Sequence, residues 1–272
     1  MAIQSEITNM ALFCDFENVA LGVRDAKYAQ FDINKVLERL LLKGSIVVKK
    51  AYCDWDRYKE FKATMHEAAF ELIEIPHVRQ SGKNSADIRM VVDALDLCYT
   101  KAHMDTFVII SGDSDFSPLV SKLRENNKYV IGIGVKDSTS NLLSANCDEF
   151  IFYDDLVREQ EAKQKRAEKK SPVKAGKAKP SVAKGEDDKR QEALDFIVET
   201  VEALIAERGA DEKIWGSLVK TTMQRRKPGF TESSYGYRSF KELVEDAQRN
   251  KLLAVVRDEK SGQYTLRMPA AD

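Results

Sequence analysis

The chain has 272 residues, 43% of them apolar, and its 43 Lys and Arg nearly balance 44 Asp and Glu, so it holds enough apolar material for one or two domains. No stretch approaches the ~20 apolar residues needed to cross a bilayer, and the opening MAIQSEITNMALFCDF lacks the basic flank and small-residue cleavage site of a signal peptide; the expectation is a cytoplasmic protein with no membrane partner. Cys14, Cys53, Cys98 and Cys147 lie scattered in apolar segments without C-x-x-C spacing, which suggests neither a disulfide framework nor a zinc knuckle and suits buried small hydrophobes.

From Met10 onward, short β-branched runs alternate with longer amphipathic stretches, the pattern of βαβ units in a mostly parallel sheet. The predicted strands are Ala11 to Phe16, Ser45 to Cys53, Glu71 to Pro76, Thr106 to Ser111, Tyr129 to Val135 and Glu149 to Tyr153. Helical spacing is predicted over Asp32 to Lys43, Arg57 to Phe70 and Ala86 to Thr100, and for a helix that begins near Phe116 and is stopped by Asn126 and Asn127. Beyond Asp155 large apolar side chains almost vanish, and Pro172 and Pro180 break any helix, so residues 156–190 are expected to be a flexible basic linker. Order resumes at Gln191 with a helix that Gly209 caps. Helices over Ile214 to Arg225 and Ser239 to Asn250 and a terminal hairpin in LLAVVRDEKSGQYTLRM follow, which together describe a winged helix over 191–268.

Charge is distributed unevenly along these segments. Residues 1–157 carry 18 basic against 24 acidic side chains, 158–192 carry 12 against 7, and 193–272 carry 13 against 13. A basic tether attracts phosphates at range, whereas an acidic domain that handles a polyanion needs cations on its carboxylates.

Three segments place carboxylates outside the carboxyl ends of predicted strands, where an open parallel sheet binds ligands. Asp15 ends the apolar run ALFC, Asp113 and Asp115 leave the strand TFVII on S-G-D-S-D-F, and Asp87 lies one turn into the helix opened by K-N-S-A-D. Oxygen ligands without His or Cys suit Mg²⁺ or Mn²⁺ better than zinc, and His66, His77 and His103 are far apart and show no H-x-x-x-H spacing. Other roles compete: Asp115 or Ser114 as a helix N-cap, Asp87 as a favourable charge at a helix start. Asp15 offers no obvious cap role. Asp93, about 240° round the helix from Asp87, is a weaker candidate, and Asn18 is either a turn residue or a hydrogen-bond donor to the site.

D-F-E-N, K-N-S-A-D-I-R-M-V-V-D-A-L and S-G-D-S-D-F-S-P-L-V resemble, in order and spacing, the three signature blocks of the NYN domain, a PIN-like nuclease family, over roughly residues 8–155. The resemblance implies a Rossmannoid α/β fold, a mostly parallel sheet flanked by helices, and a Mg²⁺- or Mn²⁺-dependent ribonuclease site of Asp15, Asp87, Asp113 and Asp115, with Asn18 and Ser111 in support. W-G-S-L-V-K-T-T-M-Q-R-R-K-P-G-F and Y-G-Y-R-S-F-K-E-L-V-E are similar to the LOTUS, or OST-HTH, winged helix, a module associated with RNA.

In that tail Arg225, Arg226 and Lys227 stand beside Tyr235 and Tyr237, a set suited to phosphate contact and base stacking, or else a solvated helix end with core tyrosines. The expected function is RNA phosphodiester hydrolysis, endonucleolytic, with RNA as partner; a homodimer is left open. The competing reading is a non-catalytic RNA-binding regulator. A phosphatase that needs Asp two residues after its nucleophile is disfavoured by Glu17, and no phosphate-binding glycine loop is present.

Overall fold

The computed structural model describes residues 8–75, 85–170, 186–209, 211–258 and 263–269; the expected strand end at Pro76 and His77 fall outside them. These residues form two compact units, one within 6–172 and one within 173–272. The described helices include none long and apolar enough to cross a membrane.

The first unit runs β1 (Asn9–Asp15), α1 (Phe16–Asp25), α2 (Ile33–Lys43), β2 (Ser45–Cys53), α3 (Lys59–Glu67) and β3 (Glu71–Glu74). It continues through α4 (Ser85–Thr100), β4 (Thr106–Ile110), α5 (Ser117–Glu125), β5 (Tyr129–Gly134), α6 (Asn141–Asn146), β6 (Glu149–Phe152) and α7 (Tyr153–Lys170). The six strands form one sheet in the order β3-β2-β1-β4-β5-β6, and every neighbouring pair is parallel. This is the mostly parallel α/β sheet expected from the sequence.

β1 shows why its sequence is apolar at every position. Successive strand residues face opposite sides: Met10, Leu12 and Cys14 join the core under α1, α2, α3 and α7, while Ala11 and Phe13 join the core under α4, α5 and α6. Both faces are covered by helices, so neither alternates with polar residues. The four cysteines are free thiols, and three of them are buried.

Helices α1, α6 and α7 depart from the sequence reading, which passed over α6 altogether. Phe16, read as the end of a strand, begins α1. α7 runs on to Lys170, inside the stretch expected to be linker, because residues 158–170 are almost all strong helix formers and the first Pro comes only at 172. Arg39 on α2 donates to Glu159 on α7 at 2.6 Å and helps seat its first turns.

The second unit consists of α8 (Glu186–Arg208), β7 (Ile214–Trp215), α9 (Gly216–Arg226), α10 (Phe240–Arg249), β8 (Ala254–Arg257) and β9 (Tyr264–Arg267). The three strands pair antiparallel in the order β7-β9-β8. Three helices followed by a two-stranded wing make a winged-helix arrangement. α8 begins at Glu186, upstream of the Gln191 start expected from the sequence.

Candidate active site

The strand order reverses between β1 and β4, and in open parallel sheets the crevice outside the strand ends at that switch point receives ligands. Asp15 closes β1 and Ser111 follows β4 directly, so the two meet across the crevice although 96 residues separate them. Ser111 Oγ donates to Asp15 Oδ2 at 3.0 Å, and the backbone N–H of Asn18 donates to Oδ1 at 3.3 Å. Asp15 therefore does serve as the N-cap of α1, a role the sequence reading denied it because α1 was not recognised.

Asn18 ties the two sides of the crevice together by accepting the Gly112 N–H at 2.9 Å. Gly112 tolerates no side chain: a Cβ there would stand 2.6 Å from the carbonyl oxygen of Ser138 and 3.0 Å from Thr139 Cα. The Asp113 N–H donates back to Ser111 Oγ at 3.2 Å, and Asp113 Oδ1 accepts from the Asp115 N–H at 2.9 Å. Asp113 is thus the cap of the single turn Ser114–Phe116, where Asp115 or Ser114 was considered, and α5 follows with Pro118 in its first turn.

Asp15 is only 8% exposed. Burial first, and then the negative charges of Asp87 and Asp113, push its pKa up to about 7 against the pull of the Asn18 and Ser111 hydrogen bonds. Asp87, in the first turn of α4, is raised by burial and by Asp113, Asp115 and Glu17. Hydrogen bonds thus join Asp15, Ser111 and Asp113 at the switch point, with Asn18 bonded to Gly112 beside them, and Asp87 and Asp115 lie near enough for their charges to act within this neighbourhood. None of the four carboxylates forms an ion pair among the described residues.

Glu17 belongs to this neighbourhood and sequence reasoning passed over it, using it only against a phosphatase. Its Oε1 accepts from Arg57, on the loop after β2, at 3.0 Å. The signal was available in D-F-E-N, which puts a second carboxylate in the first turn after Asp15. Asp93 is absent from the crevice. It accepts from Tyr52 Oη at 2.8 Å, Arg89 Nε at 3.1 Å and Lys50 Nζ at 3.3 Å, so its charge is compensated on the flank of α4.

Among the described residues no three His, Cys, Asp or Glu side chains converge closely enough to make a ready metal cage. Mg²⁺ needs none, since it commonly keeps several waters and takes only one or two carboxylates directly. Oxygen donors without His or Cys, with no cation paired to the buried Asp15 among the described residues, fit such a hydrated divalent cation by donor chemistry.

The tail candidates separate on inspection. Tyr237 is 2% exposed and donates to Asp246 Oδ2 at 2.8 Å, so it is a core residue and presents no face to a base. The Arg226 side chain is 11% exposed; it donates to Thr200 Oγ1 at 3.0 Å and Glu199 Oε1 at 2.7 Å, and lies over the Phe196 ring. These two correct the expectation of a base-stacking and phosphate role, since burying them completes the core of the second unit. Lys227 remains half-exposed, donating to Tyr235 Oη at 2.6 Å and Glu192 Oε1 at 3.1 Å. Tyr235 stacks on Phe230 at 4.9 Å. Arg225 is half-buried with no acceptor for Nε, and burial together with the nearby Arg208 lowers its pKa.

A family model described as the NYN domain matches residues 9–154. Over 125 residues the chain is 28% identical to an uncharacterized protein of Methanocaldococcus jannaschii, an alignment covering 46% of this chain and 49% of that protein. Over 155 residues it is 24% identical to Meiosis regulator and mRNA stability factor 1 of Xenopus tropicalis, covering 57% of this chain and 9% of the frog protein. The matched region thus spans about half of one relative and a small part of the other. A crystal structure of a protein of unknown function from Vibrio parahaemolyticus aligns with a TM-score of 0.49 at 27% identity, covering 55% of this chain and 95% of that one.

Proposed function

We propose, from the premise that this chain belongs to the NYN domain family, that its first unit is a metal-dependent ribonuclease that hydrolyses RNA phosphodiesters endonucleolytically. The reading is supported by Asp15 and Asp113 at the switch point of the sheet, with the charges of Asp87 and Asp115 acting beside them and no cationic partner for any of the four among the described residues. Asp15, Asp87, Asp113 and Asp115 would hold Mg²⁺ or Mn²⁺. Such an ion, when bound, supplies an activated water for in-line attack and stabilises the leaving oxygen.

The chain's own residues set up that chemistry. Ser111 and the Asn18 N–H fix both oxygens of Asp15, so its orientation is set before any ligand arrives. The Asn18 side chain, locked on Gly112, holds the β4 loop against α1 and with it Asp113. Glu17 keeps Arg57 at the rim, where a guanidinium can meet a backbone phosphate of the substrate.

The second unit, over 191–268, is proposed as an RNA-binding module of the LOTUS type that raises the local concentration of substrate near the crevice. The name of the frog relative refers to mRNA stability, which agrees with RNA as substrate. The test is cleavage of a mixed single-stranded and hairpin RNA pool with Mn²⁺, Mg²⁺ or EDTA, comparing the full chain with Asp113→Asn. Metal-dependent cutting, lost in the variant, is expected. RNA bound by both proteins and cut by neither would replace the nuclease with a non-catalytic RNA-binding regulator.

A further inference from the structure

We infer that the outer face of α4 is a self-association surface, on which a second copy of this chain docks its own α4 antiparallel. The inner face of the helix is accounted for: Met90, Ala94 and Cys98 are buried against the sheet. The opposite face is apolar as well, with Ile88 63%, Val92 56% and Tyr99 63% exposed and Leu95 partly covered between them. An open groove of about 570 Å³ runs along it, bounded in part by Ser85, Arg89 and Asp96.

The spacing identifies the occupant. Residues 88, 92, 95 and 99 recur at intervals of four, three and four, the repeat by which one helix packs its seam against another helix, and a solvated face gains nothing from it. A two-fold axis requires that if one residue meets a second across the interface, the second meets the first. In an antiparallel pairing, Val92 of one copy meets Leu95 of the other and Ile88 meets Tyr99. The same register sets Arg89 of each copy beside Asp96 of the other, two residues out of step with the seam, as flanking positions of antiparallel helices are.

Both charges are available for this. Arg89 spends only Nε on Asp93 and its side chain is 57% exposed, while Asp96 is exposed and has no cationic partner among the described residues. RNA is the poorer occupant, since Arg89, which already bonds Asp93, is the one cation lining the groove among the described residues and Asp96 stands beside it.

The seam, from Ile88 to Tyr99, is shorter than two heptads, so the dimer is expected to be weak and to dissociate on dilution. Sedimentation of the full chain from about 1 to 200 µM should show a shift from monomer towards dimer. Val92→Glu, at an exposed site in a helix that a Glu continues well, should remove the shift while its circular dichroism and melting temperature stay as in the parent. Arg89→Glu and Asp96→Lys should each weaken self-association at least tenfold, since each then faces its own sign, and a 1:1 mixture of the two should pair again. A chain that is monomeric across the whole range overturns the inference, as does a dimer that survives Val92→Glu or a mixture that fails to pair.

Discussion

The carboxylate of Asp15 caps α1 with one oxygen and receives Ser111 with the other, yet its pKa still rises to about 7 because burial and Asp87 outweigh both bonds. A carboxyl group whose folded pKa exceeds its unfolded value of 3.8 favours the folded state only while protonated. Its contribution is therefore fully present below about pH 4 and is lost as pH rises towards 7. In EDTA the melting temperature of Asp15→Asn should exceed that of the parent at pH 7.5, by at least ~1 kcal/mol in stability. The gap should close at pH 5, where the parent carboxyl is itself largely neutral. A variant less stable than the parent at pH 7.5 would mean that the cap and the Ser111 bond dominate. The places of Asp15, Asp113 and Asp115 just beyond strands and of Asp87 at a helix start were legible from local pattern, whereas Asn18 and Ser111 entered only through the resemblance to the NYN domain. The cap role of Asp15 was not, since α1 is too short to show its period, and the choice between a core and a base-stacking Tyr237 stayed open because it turns on the packing around it.

At the scale of the element, α9 divides its basic end between two tasks. Arg226 turns inward to Thr200, Glu199 and Phe196, while Lys227, just past the helix, stays half in solvent. Arg226→Ala should therefore destabilise the second unit by ~1–3 kcal/mol, read from its chemical denaturation, because it removes two hydrogen bonds and leaves the Thr200 hydroxyl with only a backbone partner. Lys227→Ala should leave stability within about 0.5 kcal/mol and, where this surface touches RNA, reduce the slope of log affinity against log salt by about one. An unchanged slope would move the RNA surface to another face. The sequence could not divide these adjacent residues, because a basic triplet at a helix end reads alike whichever member turns inward. It also concealed α1, whose ten residues span fewer than three turns, and it treated the charged run beyond Asp155 as linker although its composition favours helix.

For the whole molecule, alternating strands and helices announced the fold class, whereas the strand order is a long-range property that local pattern does not contain. The sheet's centre pairs β1 with β4, while the second unit is built from nearer contacts around α8. Distant pairing slows folding. The two tryptophans fall one in each unit, Trp55 buried in the first and Trp215 on β7 of the second. After dilution from denaturant, Trp55 fluorescence, isolated in Trp215→Phe, should recover at least ~10-fold more slowly than Trp215 fluorescence isolated in Trp55→Phe. Equal rates would show that strand order does not limit folding. The central place of β1 also matters during synthesis. Ser111 leaves the ribosome 96 residues after Asp15, a delay of roughly 5 to 20 s at ordinary elongation speeds. Through that interval the run Met10 to Cys14 has no β4 to pair with, and α5, α6 and α7, which complete the cover of its two faces, are made later still, so the nascent chain carries a sticky apolar strand with one edge open.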